Sequence, residues 1–175
     1  MKVLFTGAQG TGKTSVMEAL PASWPKIKGV TRKTIAENNL TINQDSTDRS
    51  QTAIFDAYSD VLSVDKDFIS ERSLFDVLAF TQYQYCLGKV SEIVLREQLK
   101  RVKKFVNDNP DALYIYFPVE FDPQDDGQRS TDPEYQHAID AFIRMSIGTF
   151  PIKYIIVSGS VAERCRQIQS VVNFD

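Results

Sequence analysis

The chain has 175 residues, 42% of them hydrophobic and 25% charged, which is enough for one well-filled core and too little for two ordinary domains. Its formal net charge of −3 gives no overall basic footprint, so a nucleic acid would have to be held by a local patch. No stretch approaches the roughly 20 apolar residues of a membrane span, and Val3-Leu4-Phe5 is too short for a signal-peptide core, so the expected setting is soluble, reducing and cytoplasmic, with no membrane partner.

The first predicted strand, Lys2–Thr6, runs into Gly7-Ala8-Gln9-Gly10-Thr11-Gly12-Lys13-Thr14, which matches the phosphate-binding pattern GxxxxGK[ST]. Glycines at 7, 10 and 12 let successive backbone N–H groups converge on phosphate oxygens at a helix start. Lys13 brings a point charge to the β- and γ-phosphates, and the Thr14 hydroxyl is placed to ligate Mg²⁺. Gln9, Thr11 and Ser15 complete the set expected around the triphosphate. A helix follows over 13–20, stopped by Pro21 and Pro25.

Residues 27–31 read as a short second strand and 38–48 as a polar loop. Asp48 is the expected cap of a helix over 49–62, with Ile54, Ala57, Tyr58 and Val61 on one face. A third strand covers 68–70, and helices follow over 73–87 and 90–107, the second rich in Lys and Arg toward its end, as a helix dipole favours. An apolar strand is expected over 112–119, a polar lid-like loop over 121–133, a helix over 134–147, a last strand over 154–158 and a closing helix over 161–172. Cys86 and Cys165, far apart and without metal spacing, and the lone His137 give neither a disulfide framework nor a zinc site. Both cysteines are expected as buried apolar residues on helices.

Strands alternating with helices predict an α/β fold with a parallel sheet and right-handed crossovers. In such sheets ligands lie beyond the strand C-termini, which selects the residues to examine. Glu71-Arg72 follows strand three: Glu71 can orient Mg²⁺ and its waters or take a proton from an acceptor hydroxyl, and Arg72 can hold an acceptor bidentately. The bland alternative is an ion pair capping a strand end. Arg129, in Asp125-Asp126-Gly127-Gln128-Arg129, can swing in on the transferred phosphoryl group, or the loop can be plain solvated surface. Gly159 permits close backbone approach, and Arg164 either stacks on adenine or lies with Arg166 on an exposed helix face. Arg32, after strand two, can meet an anionic acceptor. Walls of the acceptor pocket are expected from the helix over 49–62 and from Phe75, Phe80 and Tyr83.

Together the phosphate loop, Ser70-Glu71-Arg72-Ser73, the Asp-Asp-Gly-x-Arg lid and the turn from Gly159 to Arg164 resemble the small P-loop kinases: thymidylate, deoxynucleoside and nicotinamide riboside kinases, including relatives encoded by viruses. That resemblance implies a three-layer fold around a five-stranded parallel sheet in the order 2-3-1-4-5, a short lid, and MgATP as phosphoryl donor. It also implies Lys13 and Thr14 on phosphate and metal, Glu71 and Arg72 on metal and acceptor, Arg129 in the lid and Arg164 by adenine. Related kinases are commonly dimers, and a viral member would work in the host cytoplasm. One departure is that nucleoside kinases usually place an acidic residue after strand two as general base, where this sequence has Thr31-Arg32. An acceptor that is already anionic is therefore favoured, either a nucleoside monophosphate or a nucleotide within DNA such as 5-hydroxymethyluracil. An ATPase or nucleotide-gated switch acting on a partner is the alternative of a different class.

Overall fold

The computed structural model describes residues 1–42, 45–123 and 130–174. Its centre is a five-stranded parallel sheet in the order β2-β3-β1-β4-β5, formed by β1 (Lys2–Thr6), β2 (Lys26–Ile27), β3 (Phe68–Ser70), β4 (Leu113–Tyr116) and β5 (Lys153–Ile156). Helices α1 (Lys13–Ala19), α2 (Val30–Asn38), α3 (Asp48–Leu62), α4 (Leu74–Cys86), α5 (Glu92–Asp108), α6 (Pro133–Thr149) and α7 (Val161–Gln169) join and flank the strands. The expected fold class and strand order are therefore observed.

Alternation along the strands divides the core in two. Leu4, Tyr114 and Tyr116 face a cluster built with Phe55, Tyr58, Phe75, Leu78, Val102, Ile139 and Ile143, so α3 to α6 cover that side. Val3, Phe5, Ile69 and Ile115 face the other side, where Val16 and Met17 of α1 meet Cys165 and Ile168 of α7. Because every strand is parallel to its neighbours, all their C-terminal ends open on one edge. The phosphate loop, Glu71, Glu120 and Gly159 are thereby gathered at that edge.

Several boundaries differ from expectation for identifiable reasons. The second strand stops at Ile27 because Gly29, with φ of 75°, turns the chain into α2; Thr31 and Arg32 thus lie in the first turn of a helix, not at a strand end. The strand expected over 112–119 pairs with β1 only as far as Thr6 opposite Tyr116, after which the phosphate loop carries the partner chain away. Asp48 does not cap α3. Thr47 does, in a reciprocal pair with Ser50, while Asp48 accepts the Ser91 N–H at 2.7 Å. The last turn of α5 holds no basic residue, since Lys104 lies earlier and pairs with Asp108. Cys86, expected inside, is exposed, whereas Cys165 is buried. No helix among the described residues is long and apolar enough to cross a membrane.

Leu78 sits fully buried where α4 meets its neighbours. Leu78→Ala is expected to destabilise the fold by about 2–5 kcal/mol in urea denaturation, and a loss below about 1 kcal/mol would contradict its placement in a close-packed core.

Candidate functional site

The phosphate loop closes tightly after β1. Gly7 has φ of 155°, and a Cβ there would come within 2.5 Å of the Phe117 carbonyl oxygen, so a side chain is excluded. Gly12, at φ of 84°, is the N-cap of α1. Three side chains from three helices hold the loop backbone: Asp76 accepts the Gly7 N–H at 3.1 Å, Gln136 Nε2 donates to the Gln9 carbonyl at 2.8 Å, and Arg164 donates to the Thr11 carbonyl at 2.6 Å. Inside the loop, Thr11 Oγ1 donates to the Ala8 carbonyl at 3.0 Å. The Lys13 ammonium donates to the carbonyls of Gly7 and Ala8 at 2.5 and 2.6 Å.

Asp76 is the residue that motif reading missed. It is fully buried, and its Oδ2 accepts both the backbone N–H and the hydroxyl of Ser73 at 3.0 and 2.9 Å, closing a capping box at the start of α4. Its Oδ1, besides the Gly7 N–H, lies 4.0 Å from Lys13 Nζ and 3.7 Å from Arg72 Nη1. One carboxylate thus stands between the loop lysine and the arginine of Glu71-Arg72. The available signal was Ser73-x-x-Asp76, a helix-start pattern, which places the carboxylate but does not reveal that half of it serves the phosphate loop.

Arg72 lies against the Phe80 ring, its guanidinium carbon 5.7 Å from the centroid. Burial works against its charge, but Tyr58, Asp76, Glu71 and Tyr135 outweigh that and hold it above its ordinary value. Tyr58 is pushed up to about 12, chiefly by burial, and its hydroxyl meets that of Thr31 at 3.1 Å. Glu71 accepts the Gly29 N–H at 2.6 Å, so the turn after β2 contributes a donor to this carboxylate.

The phosphate loop, Thr31, Glu71, Arg72 and Phe80 line one cleft of about 510 Å³. Gln9 to Ser15 form one wall, Glu71 and Arg72 stand opposite, and Lys28, Thr31 and Arg32 come from the segment after β2. Gln51, Ile54 and Phe80 line the remainder. Of the wall residues expected from sequence, Phe80 and the α3 helix are present, but Phe75 is not. It is buried in the core, stacked on Tyr114 and Phe150 at 4.9 and 5.4 Å. Tyr83 also lies outside the lining and packs edge-on against Tyr135.

A second cavity of about 370 Å³ lies on the other side of the loop, lined by Gly10, Gly12, Ser15, Phe121, Gly159, Ser160, Val161 and Arg164. Arg164 is only 2% exposed, which rules out an exposed helix face for it, while Arg166 is exposed. The Arg164 guanidinium donates to Glu120 Oε2 at 2.8 Å as well as to the loop, and lies 5.6 and 5.7 Å from the Phe117 and Phe121 ring centroids. Glu120 also accepts the Gly159 N–H at 3.1 Å. Asp125, Asp126 and Arg129 lie outside the described residues.

A family model described as AAA domain matches residues 2–164. The chain belongs to the AAA domain family. No curated protein matches it in sequence. Among solved structures, this AAA domain is similar to deoxyadenosine kinase from M. mycoides with bound dATP, at 16% identity and a TM-score of 0.70, covering 97% of each chain. The NadR protein in complex with NR gives 16% identity and a TM-score of 0.73 over 97% of this chain and 50% of that one. The YorR protein from Bacillus subtilis gives 14% identity and a TM-score of 0.61 over 98% and 95%. The fold is that of the small P-loop kinases, as the sequence resemblance implied.

Gly7→Ala is expected to abolish nucleotide binding, because the added methyl meets backbone, not a flexible side chain. Titration with a fluorescent ATP analogue checks this, and wild-type affinity in the variant would contradict the close approach to Phe117.

Proposed function

We propose that this AAA domain is a Mg-ATP-dependent kinase that transfers the γ-phosphate to a nucleotide-like acceptor, a nucleoside monophosphate or a related nucleoside. The observation that carries this reading is the single cleft in which the phosphate loop faces Glu71 and Arg72. Phosphoryl transfer needs a donor and an acceptor positioned in line, with charge neutralised around the moving group, and little covalent chemistry from the protein.

In this reading the loop N–H groups and Lys13 hold the donor phosphates, and Lys13 exchanges the Gly7 and Ala8 carbonyls for phosphate oxygens. Adenine occupies the second cavity beside Gly159 and Arg164. The Thr14 hydroxyl and the Glu71 carboxylate, both lining the cleft, would hold Mg²⁺. No cluster of three or more His, Cys, Asp or Glu suited to a metal occurs among the described residues. That donor set fits an ion that keeps several waters and binds through substrate phosphates, and when bound it would neutralise phosphate charge.

On the acceptor side, an acceptor oxygen attacks the γ-phosphorus, the bond to the ADP oxygen breaks, and ADP leaves. Where Thr14 and the phosphates alone hold the ion, Glu71 takes the proton of a hydroxyl acceptor, whereas a phosphate dianion acceptor has no proton to give. Lys28, Arg32 and Arg72 line this side, and the turn after β2 supplies no carboxylate, which favours an acceptor bringing negative charge. Arg129 of the lid is assigned to the transferring phosphoryl group by sequence alone.

The test is transfer of label from γ-labelled ATP to a panel of nucleosides, nucleoside monophosphates and DNA oligonucleotides carrying 5-hydroxymethyluracil. Acceptor-dependent transfer is expected, with Lys13→Ala slower by roughly a hundredfold or more, about 3 kcal/mol of lost transition-state stabilisation. Hydrolysis at full rate without any acceptor would replace the kinase by an ATPase switch.

A further inference from the structure

Gln9 has an unusual position for an amide. Its residue is only 4% exposed, and neither Oε1 nor Nε2 has a hydrogen-bond partner among the described residues. The backbone that carries it is fixed from three sides: Asp76 on the Gly7 N–H, Gln136 on the Gln9 carbonyl and Arg164 on the Thr11 carbonyl. The nearby carbonyls of Gly7 and Ala8 are occupied by Lys13. A buried amide left unsatisfied at both ends is destabilising, and buried polar groups in native proteins are nearly always paired. Its persistence in a tightly held loop calls for a reason.

The reason lies in where Gln9 faces. It lines the cleft shared with Glu71, Arg72 and Phe80, and it does not line the second cavity, although its neighbours Gly10 and Gly12 line both. Gly10 and Gly12 thus border both cavities, while Gln9 borders only the cleft that also holds Glu71 and Arg72. An amide offers a donor and an acceptor in a fixed plane, so it suits a ligand group that can answer one or both.

We infer that Gln9 is a specificity-determining residue: its amide hydrogen-bonds a hydroxyl or carbonyl of the acceptor, next to the atom that receives the phosphoryl group. This inference rests on the kinase reading of the cleft. A site built to pair a polar group rejects an analogue lacking it far more strongly than a hydrophobic pocket rejects a missing methylene, so Gln9 would select acceptors by the presence of that group.

Gln9→Met keeps the length of the side chain and removes both polar atoms, and it separates this role from a structural one. If Gln9 serves a ligand, Gln9→Met is at least as stable as wild type without ligands, because an unmet amide has been deleted. Its acceptor KM rises about tenfold to a hundredfold, a larger factor than any loss of AMP-PNP affinity. Melting temperatures, AMP-PNP titration and acceptor KM across deoxynucleosides and deoxynucleoside monophosphates provide the readouts. A lower melting temperature without ligands, or an unchanged acceptor KM, overturns the inference. If wild-type protein binds AMP-PNP yet transfers phosphate to no acceptor, the kinase reading has failed, and the melting temperature alone decides whether Gln9 is held in the protein's own interest.

Discussion

The phosphate loop is held in place by side chains that come from distant parts of the chain. Asp76, Gln136 and Arg164 lie 69, 127 and 153 residues from the loop atoms they bond, on α4, α6 and α7. A loop rich in glycine loses much conformational freedom when ordered, and hydrogen bonds within the loop are too few to offset this. Anchoring three of its peptide groups to three helices makes the loop geometry a property of the whole fold. The loop therefore keeps its shape only as long as both faces of the sheet are covered, since Arg164 belongs to the α1–α7 side and Asp76 and Gln136 to the other.

Charge is arranged on the same principle. A fully buried carboxylate is costly unless paired and hydrogen-bonded, and Asp76 meets that condition through Ser73 and Gly7 with two cations close by. Lys13 belongs to the phosphate loop and Arg72 to the end of β3, and the same carboxylate oxygen lies near both. Glu120 does the equivalent on the far side of the loop, accepting from Arg164 and from Gly159. Asp76 ties the start of α4 to the phosphate loop, and Glu120 ties the chain after β4 to the turn from Gly159 to Arg164.

How much of this could be read from the sequence depends on whether the signal was local. The placement of Lys13 and Thr14 in a loop after β1 was legible because the glycines and lysine have a fixed spacing, and that of Glu71-Arg72 because the C-terminal strand ends of a parallel sheet share one edge, and all four line one cleft. The strand order followed from resemblance and was observed. Helix α2 was missed because Gly29 is as consistent with a loop as with a helix cap, and nothing in 30–38 carries a strong apolar period. Asp76 was illegible as a site residue, since its local pattern is fully explained by a capping box, and its second role depends on Gly7 approaching through tertiary packing. Phe75 and Phe80 show the same limit. Both are aromatic residues on α4, yet Phe75 stacks in the core and Phe80 lines the cleft, a difference set by which way the helix is rotated.

That rotation of α4 has a chemical consequence. With Asp76 turned inward to the phosphate loop, Val77 and Phe80 face the cleft, and Arg72 is packed beside Phe80 instead of extending into solvent. The capping box at Ser73 fixes where the helix starts, and that start fixes which of its side chains reach the cleft. One helix terminus therefore links three things that need not be linked: the shape of the phosphate loop, the position of Arg72 and the apolar lining beside it. For the phosphoryl transfer proposed above, which is sensitive to small errors in distance, a shared anchor on α4 couples the phosphate loop to Arg72 more closely than two independent loops would.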